Sequence, residues 1–403
     1  MNIIYLSSCC SKRKIQEIMQ SGEMKSLPQA QKYNGLMIEG LKENGLNITA
    51  VSAIPTNRTD SKKTKYKREV EKVSGVEFIY LPFINFPYLR QKTLHKNAKK
   101  EIKKLIKLFN NDCVIICDIL NQSISTAALK VGKKCNVPVL GIVTDVPGHR
   151  AGAKQKELNF IKRCISNYAQ KKNIKNMVKY DAYLFLTEAM NDVVNKYSRP
   201  YIVIEGQSDA KMSNRENALC DKSIPKILLY AGSIHKEYGI ERLTQAFLNS
   251  NVSGWELHIY GNGNYDKELR QIAEENETIK FFGVVSNDEI VDKEIKASLL
   301  VNPRPTDADF VKYSFPSKTM EYMASGTPLL TTKLPSMPKE YNDYVYLFEG
   351  ESIEDMSDKL CEVLSFSAEE MHGKGTLAKK FILEEKNNVI QAKKLIEFIK
   401  NNK

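Results

Sequence analysis

The alternation of short apolar runs with amphipathic segments is the feature that most constrains how this 403-residue chain can fold. In the first half, the apolar runs are rich in β-branched residues and bounded by turn-forming residues: Asn2–Ser7, Asn47–Ala53, Val76–Leu81, Cys113–Asp118, Pro138–Thr144 and Ala182–Thr187. The segments between them have helical spacing, and in Thr93–Phe109 the apolar residues share one face while lysines cover the other. Strands that alternate with helices predict a parallel sheet with helices on both sides.

The same pattern begins again after the polar stretch Ser208–Ser223, which has no apolar periodicity. The strands predicted beyond it are Lys226–Tyr230, Glu256–Tyr260, Thr278–Phe282, Ser298–Val301, Pro328–Thr331 and Tyr344–Phe348. Two doubly wound, Rossmann-like α/β domains fit this pattern better than one large sheet. We place the first domain at residues 1–207 and the second at 208–384. Residues 385–403 continue a helix predicted from Ala378 and are expected to pack back on the first domain.

The net charge of +12 is unevenly divided along the chain. Residues 1–200 carry 35 Lys and Arg against 16 Asp and Glu, whereas the remainder carries 25 against 32. A basic first half indicates a domain that faces a polyanionic surface. No nucleic-acid-reading motif is recognisable, so we predict no nucleic-acid partner. The aromatic and aliphatic residues of Phe78–Leu89, next to a lysine-rich helix, suit docking on an anionic membrane; a buried strand is the equally weighted alternative.

The apolar runs and the cysteines argue against a membrane-spanning, a secreted and a metal-binding protein. No apolar run approaches the roughly 18 residues of a membrane span, and the N-terminus does not resemble a signal peptide. The eight cysteines form no CxxC pair and no metal-ligand spacing, which is typical of reduced core thiols. We therefore expect a cytoplasmic protein, with peripheral association at the inner face of the membrane as a further expectation.

The segment Val301–Pro328 carries the clearest chemical signal. Its residues Ser314–Lys318 precede a predicted helix, whose free N–H groups and dipole would attract a diphosphate. Lys318 adds a positive charge there, and Glu321, one turn further on, could accept hydrogen bonds from ribose hydroxyls. A capped helix with an exposed Lys and Glu is the weaker alternative.

Three other features are weaker signals. Small residues follow two strands, Gly232 and Ser233 after the first and Gly261 and Gly263 after the second; they could admit a ligand, although glycine after a strand is more often only a turn. Asp307–Asp309 has the DxD form of metal-dependent transferases, but we interpret it as a solvated loop and predict no metal site and no cofactor.

From about Lys226 to Phe348, the chain resembles the nucleotide-sugar half of a GT-B glycosyltransferase of the GT4-like, group 1 family that builds bacterial polysaccharides. The matching pieces keep the family's order: Ala231-Gly-Ser, Gly239-Ile-Glu-Arg-Leu, Leu257-His-Ile-Tyr-Gly-Asn-Gly, Phe282-Gly-Val-Val, and the specific run Phe315-Pro-Ser-Lys-Thr-Met-Glu-Tyr-Met-Ala-Ser-Gly-Thr-Pro. The first half resembles the acceptor domain mainly in pattern, with Gln31-Lys-Tyr and Val143-Thr-Asp-Val-Pro-Gly-His149 as suggestive pieces.

The resemblance implies two Rossmann-like domains facing across a cleft and a retaining transferase (EC 2.4). This enzyme would move a sugar from a nucleotide sugar, expected to be a UDP-sugar, to a glycan or polyprenyl-linked acceptor in cell-surface polysaccharide synthesis. His149 would face the donor sugar, and Glu321 matches the second glutamate of the family's E-x7-E motif, which holds the ribose. The donor would also meet the backbone or side chains of a larger set of residues: Gly232, Ser233, Gly261, Gly263, Gly283, Val284, Tyr313, Ser314, Phe315, Pro316, Ser317 and Thr319.

The sequence departs from the family at three positions. The motif's first glutamate falls on Tyr313, and the two phosphate-facing cations after the domain's first strand fall on Ser233 and Tyr238. We hypothesise that Arg304 and Lys318 together neutralise the leaving diphosphate instead. The departures leave two alternatives open: a catalytically silent GT-B subunit that binds a glycan or a partner transferase, and a UDP-sugar epimerase of the same fold.

Overall fold

The computed structural model describes residues 1–24, 29–146, 173–308 and 310–402. The chain forms two compact units, one of Met1–Gln207 with Asn388–Lys403, and one of Ser208–Asn387. The backbone therefore passes between the units twice, once at Gln207–Ser208 and once at Asn387–Asn388. The strands are numbered β1 to β16 below in chain order.

The first unit is built on a mostly parallel sheet. Its strands are β1 Asn2–Ser7, β2 Asn47–Ser52, β3 Lys65–Tyr66, β4 Glu69–Val73, β5 Val76–Tyr80, β6 Phe83–Ile84, β7 Cys113–Asp118, β8 Val139–Val143, β9 Ala182–Phe185 and β10 Tyr201–Val203. Within the described residues, eight of these form one sheet in the order β10-β9-β8-β7-β1-β2-β5-β4. Only β4 runs antiparallel to its neighbour, and β3 and β6 pair separately. The order reverses direction beside β1, as in a doubly wound fold.

Helices cover this sheet because each presents an apolar face to it. Their bounds are Lys12–Gln20, Gln29–Glu43, Leu89–Leu108, Gln122–Cys135, Ala189–Val194 and the terminal Asn388–Asn401. The central strands are buried throughout, which explains their near-continuous apolar runs. The terminal helix packs against Gln29–Glu43, where the Asn44 Nδ2 donates to the Val389 carbonyl at 2.9 Å.

The second unit has an all-parallel sheet. Its strands are β11 Lys226–Ser233, β12 Trp255–Asn262, β13 Ile279–Gly283, β14 Leu299–Asn302, β15 Leu329–Thr332 and β16 Tyr346–Phe348, in the spatial order β13-β12-β11-β14-β15-β16. The α-helices of this unit are Ile240–Ser250, Asp266–Glu275, Asn287–Lys296, Ser317–Ser325, Ile353–Leu364 and Ala368–Glu385. Apolar clusters lie on both faces of the sheet, one centred on Leu257 and Val301 and the other on Leu229 and Met323. Both units thus have the predicted α/β, doubly wound architecture.

The structure differs from the sequence interpretation in the terminal helix, in one additional helix and in one edge strand, and it divides the segment Phe78–Leu89 between core and surface. The helix predicted from Ala378 to the end is interrupted at Lys386 and Asn387, where the chain passes between units and the Ser208 N–H donates to the Lys386 carbonyl. The helix Lys12–Gln20 and the edge strand β4 were not predicted. In Phe78–Leu89, residues Phe78–Leu81 lie in the core, whereas Phe86, Tyr88 and Leu89 are exposed.

Candidate functional site

The second unit has its topological switch point between β11 and β14. These strands pair only at Leu228 with Leu299 and at Leu229 with Leu300, and the loops that follow diverge beyond them. In open α/β sheets, ligands bind in the crevice at this point, outside the carboxyl ends of the strands. The two loops meet again at Gly239, whose φ is +81° and whose missing Cβ would lie 2.1 Å from the Pro303 carbonyl oxygen.

Arg304 follows β14 and reaches into this crevice. Its Nη2 lies 3.4 Å from the Ser314 Oγ, and its buried Nε has no hydrogen-bond partner. Among the described residues, no carboxylate lies within ion-pair distance of this guanidinium. A half-buried cation without a counter-charge is energetically unfavourable, and burial lowers the pKa of Arg304. The arrangement fits a site that takes an anionic ligand.

Aromatic rings hold the Arg304 guanidinium in place. Its carbon Cζ lies 5.7 Å from the centroid of the Tyr238 ring and 5.1 Å from that of Phe310. Both distances suit cation–π contacts, and arginine stacks well on aromatic faces. Tyr238 stands where the resembled family has a phosphate-facing cation. In this chain the Tyr238 ring instead contacts a cation from the loop after β14, Arg304.

The helix Ser317–Ser325 begins close to Arg304. Pro316 precedes it with extended backbone (φ −75°, ψ 114°), and no side chain caps the N-terminus. The first N–H groups of a helix have no partner within the helix, and together with the dipole they attract anions. Ser314, which contacts Arg304, lies three residues before this N-terminus, so the uncapped N–H groups and the guanidinium belong to one region.

Lys318 and Glu321 lie one turn apart on this helix and pair with each other. The Lys318 Nζ lies 3.1 Å from the Glu321 Oε2, and both side chains keep some solvent exposure. Burial opposes the charged form of Lys318, but the carboxylates of Glu321 and Glu294 more than offset it, so the pKa of Lys318 is raised. Lys318 therefore stays cationic at neutral pH.

The predicted donor-binding residues around this helix differ in accessibility. Ser314, Ser317, Lys318 and Glu321 reach the surface, and Ser233 is exposed at the end of β11. Four others have buried side chains and could meet a ligand only through their backbone: Tyr313, Phe315, Pro316 and Thr319.

Three of the predicted glycines are explained by packing within the unit. An added Cβ would lie 2.8 Å from the Tyr230 hydroxyl at Gly232, 1.8 Å from the Gly232 carbonyl oxygen at Gly261, and 1.8 Å from the Ile234 carbonyl oxygen at Gly263. These glycines let the ends of β11 and β12 and the loops after them approach closely. Their contact with a ligand stays a prediction.

Gly283 and Val284 have a different environment. Gly283 ends β13 with φ +72°, and no heavy atom lies within 4 Å of the position that its Cβ would take. Val284 is 69% exposed, and the neighbouring Phe282 stacks on Tyr260 with the ring centroids 4.7 Å apart. The surface at these residues is therefore open, and their contact with a nucleobase stays a prediction.

The residues predicted to act in the first unit are only partly described. His149 lies outside the described residues, and so does Asp309 of the DxD sequence. Gln31 is buried, where its Nε2 donates to the Cys10 carbonyl at 2.6 Å and its Oε1 accepts from the Cys10 N–H at 3.0 Å. This amide fixes the loop after β1, and Cys9 and Cys10 pack in the core.

Two kinds of feature are absent from the described part of the chain. It contains no group of three or more His, Cys, Asp or Glu side chains arranged to hold a metal ion. No helix in that part combines the length and the apolar character that crossing a bilayer requires.

Two residues that hold parts of the site in place have roles that were not predicted from the sequence. The fully buried Tyr322 hydroxyl contacts the Ala231 backbone at the end of β11, and it fixes the helix Ser317–Ser325 against the sheet. The Glu351 carboxylate accepts from the Thr306 N–H at 3.0 Å and from its hydroxyl, which fixes the loop that carries Arg304. Both side chains come from elements distant in sequence from the groups that they hold.

Most of the second unit matches a known protein family. Residues 214–381 match the family described as glycosyl transferases group 1. No curated protein sequence matches the chain.

Solved structures resemble the whole chain at low sequence identity. Sucrose-phosphate synthase from Thermosynechococcus elongatus is 12% identical, with a TM-score of 0.65 over 100% of this chain and 98% of that one. The α,α-trehalose-phosphate synthase (UDP-forming) from Burkholderia xenovorans, in complex with glucose-6-phosphate, is 10% identical, with a TM-score of 0.65 over 99% of each chain. HepE from Anabaena, in complex with UDP and glucose, is 12% identical, with a TM-score of 0.61 over 100% of both chains. At these identities the likeness shows the fold, which is GT-B.

Proposed function

Because the chain carries a group 1 glycosyltransferase domain on a GT-B fold, and is therefore a transferase, we propose that it is a retaining glycosyltransferase with a UDP-sugar as donor. The second unit holds the nucleotide sugar, and the first unit binds the acceptor. The acceptor proposed is a glycan or a polyprenyl-linked sugar in cell-surface polysaccharide synthesis, met at the inner face of the membrane. The observation that carries the donor site is the Arg304 guanidinium, held between two aromatic rings without a carboxylate partner in the described residues.

The diphosphate is the group that the site is built to receive. Positive charge and hydrogen-bond donors are supplied where the leaving group develops negative charge. They come from Arg304, Lys318 and the uncapped N–H groups of the helix Ser317–Ser325. Preorganised donors of this kind are worth about 2.7–4 kcal/mol of transition-state stabilisation each. In this proposal, Glu321 exchanges its contact with Lys318 for the ribose hydroxyls, and the open surface at Gly283 and Val284 receives the base.

The proposed reaction keeps the donor's anomeric configuration. The bond from the anomeric carbon to the β-phosphate oxygen breaks, and its electron pair leaves with the nucleoside diphosphate. The acceptor hydroxyl oxygen forms the new bond on the same face of the sugar, and its proton passes to the departing phosphate. The chain's own cations neutralise the diphosphate in this scheme. His149 remains the predicted side chain that faces the donor sugar.

A second candidate is a catalytically silent subunit that binds a glycan or a partner transferase. The observation that favours it is Tyr313, whose buried side chain stands where the family's first glutamate contacts the donor sugar. A silent subunit would bind nucleotides weakly and need a second protein for activity. An epimerase would change the nucleotide sugar without any acceptor, so product analysis with donor alone separates that possibility.

Calorimetric titration of UDP, GDP and ADP tests the proposed donor site. We expect the wild type to bind UDP selectively and Glu321→Ala to bind it more weakly, because the ribose contact is lost. Glu362→Ala is the matched control, since Glu362 is an exposed carboxylate that pairs with a lysine one helical turn away, Lys359, outside the site. If no nucleotide bound at millimolar concentration, the donor-site proposal would be wrong and the silent-subunit reading would be favoured.

A further inference from the structure

We propose that one face of the helix Leu89–Leu108, with the exposed tip that precedes and begins it, docks on the surface of an anionic lipid bilayer. The lysine stripe is defined as Lys92, Lys96, Lys99, Lys103 and Lys107, and the apolar tip as Phe86, Tyr88 and Leu89. The inference deepens the membrane location proposed above and rests on it only for the position of a lipid-linked acceptor. The binding itself is argued from the first unit alone.

The helix is strongly and asymmetrically charged. It carries eight Lys and Arg residues and a single acid, Glu101. At about 100° per residue, the lysine stripe falls within an arc of about 80°, on a side that faces away from most of the buried residues. Those buried residues, which include Leu94, Ala98 and Ile102, have no solvent exposure. The buried side holds the helix to the domain, and the stripe faces outward.

The charge of the stripe is not neutralised by the protein. Within the described residues, no carboxylate forms an ion pair with any of its five lysines. Glu101, the helix's own acid, is buried and engaged elsewhere, because Arg68 donates to it through Nε at 3.0 Å and Nη2 at 2.8 Å. A row of unpaired lysines about 23 Å long therefore remains available to an external anionic surface.

A shallow, open depression in this face is bordered mainly by lysine side chains. It has a volume of about 390 Å³ and is bordered by His95, Lys96, Lys99, Lys100 and Lys103. The His95 Nδ1 lies 3.1 Å from the Ser123 carbonyl oxygen, so its ring is fixed against the neighbouring helix.

The apolar tip exposes large hydrophobic side chains to solvent. Phe86 is 42% exposed, Tyr88 69% and Leu89 45%. Tyr88 also has a φ of +61°, an unfavourable conformation for a bulky side chain that marks a candidate functional position. The Arg58 guanidinium lies 5.4 Å from the Phe86 ring centroid, so a cation accompanies the exposed rings. Aromatic and aliphatic side chains beside cations are the combination that anchors proteins at membrane–water interfaces.

The combination of tip and stripe favours a bilayer over a nucleic acid. A nucleic acid would use the lysines but would leave the exposed leucine without a partner, whereas a bilayer offers anionic headgroups to the stripe and acyl chains to the tip. At about 100° per residue, Leu89 lies on the same side of the helix as the lysines.

Sedimentation of the full chain with vesicles tests this proposal. Vesicles of phosphatidylcholine with and without phosphatidylglycerol are compared for the wild type and for a quadruple variant: Lys96→Gln, Lys99→Gln, Lys103→Gln and Lys107→Gln. The control changes the same number of exposed lysines in the second unit: Lys267→Gln, Lys293→Gln, Lys296→Gln and Lys339→Gln. Each lysine near an anionic surface contributes roughly fivefold to binding, so we expect the stripe variant to lose at least about a hundredfold and the control almost nothing.

A second variant tests the tip without disturbing the fold. Tyr88→Gly with Leu89→Ser removes the apolar groups and places at position 88 a residue that tolerates positive φ. We expect binding to anionic vesicles to fall about tenfold, with an unchanged unfolding transition. Leu377→Ser, which removes an exposed leucine from the second unit, is the control and should bind like the wild type.

Three outcomes would overturn the proposal. The first is equal binding of wild type and stripe variant to anionic vesicles, the second is no vesicle binding at all, and the third is a stripe that binds single-stranded DNA but not vesicles. A UDP titration of the stripe variant separates this proposal from the donor site. Intact UDP affinity with lost vesicle binding supports docking by the stripe, whereas vesicle binding without UDP binding would refute only the donor site.

Discussion

The Tyr322 hydroxyl both accepts a hydrogen bond from the Ala231 N–H, at 2.7 Å, and donates one to the Ala231 carbonyl, at 2.9 Å. Ala231 lies in β11 beyond the two residue pairs that join β11 to β14, so on that side its backbone groups have no strand partner. Tyr322 supplies the missing partner from the helix Ser317–Ser325. One buried side chain thus fixes the helix Ser317–Ser325 against the strand that ends at the crevice.

Removing this hydroxyl should destabilise the second unit. In Tyr322→Phe two buried backbone groups lose their partner, and we expect the free energy of unfolding to fall by about 1–3 kcal/mol. Urea unfolding followed by the fluorescence of Trp255, the only tryptophan, reports on this unit. Tyr344→Phe is the control, because the Tyr344 ring stacks on Phe381 and its hydroxyl makes no hydrogen bond among the described residues. Equal effects of the two substitutions would contradict the bridging role.

The contact between the loops after β11 and β14 should control the position of Arg304. Gly239→Ala forces a side chain into a positive φ and against the Pro303 carbonyl. We expect kcat to fall about tenfold to a hundredfold, since displacements of about 1 Å have effects of that size. Gly373→Ala, in a helix with open space around the added Cβ, should leave kcat unchanged and stabilise the chain by about 0.5–1 kcal/mol. A Gly239→Ala enzyme with wild-type kcat would show that the contact is dispensable.

The ion pair of Arg68 with Glu101 should make the first unit sensitive to acid. The hydrogen bonds from Arg68 lower the pKa of Glu101 below its usual value of 4.5. The pair therefore stabilises the folded unit above that pH, and the stabilisation is lost as the pH falls through the lowered pKa.

Glu101→Gln should test this dependence. We expect it to reduce the free energy of unfolding by about 1–3 kcal/mol at neutral pH, with a smaller difference from the wild type near pH 3. Urea unfolding followed by circular dichroism at both pH values measures it. Glu43→Gln, which changes an exposed glutamate paired with Lys42, should have little effect at either pH. A difference that stayed constant with pH would contradict the assignment.

The cysteines should differ sharply in reactivity. Burial raises the pKa of Cys10 to about 12 and that of Cys117 higher still, whereas Cys220 and Cys361 are exposed. Because the thiolate is the reactive form, iodoacetamide should modify Cys220 and Cys361 in the native protein and leave Cys10 and Cys117 unmodified. Peptide mass spectrometry identifies the sites. Rapid modification of Cys10 in the folded chain would argue against its buried position.

Much of the fold could be predicted because its strands carry the signal themselves. Strands such as Asn2–Ser7 and Cys113–Asp118 are buried on both faces, so their sequences are continuous apolar runs. The edge strand β4 is mostly exposed, and its sequence Glu69–Val73 has no such run. The interruption at Lys386 carries no proline or glycine. It follows from the backbone contact with Ser208, which no local pattern encodes.

The candidate site, like the fold, could be predicted from the sequence only in part. The helix Ser317–Ser325, with Lys318 and Glu321 on its accessible face, follows from a motif that is contiguous in sequence. The aromatic contacts of Arg304 could not be predicted from the sequence, because Tyr238 and Phe310 come from different loops that the sheet order brings together. Such contacts depend on tertiary packing and become visible only in the structure.

The most direct test of the account is the rate of UDP release from UDP-glucose by the wild type, Arg304→Ala, Lys318→Ala and a control, Lys312→Ala. Lys312 lies on the same loop but is exposed, and its ammonium contacts only the Tyr313 ring among the described residues. The account predicts that each of the first two substitutions lowers kcat about 10²–10³-fold and that the control does not. If Arg304→Ala and Lys318→Ala each left turnover within a few-fold of the wild type, diphosphate neutralisation by these two residues would be contradicted.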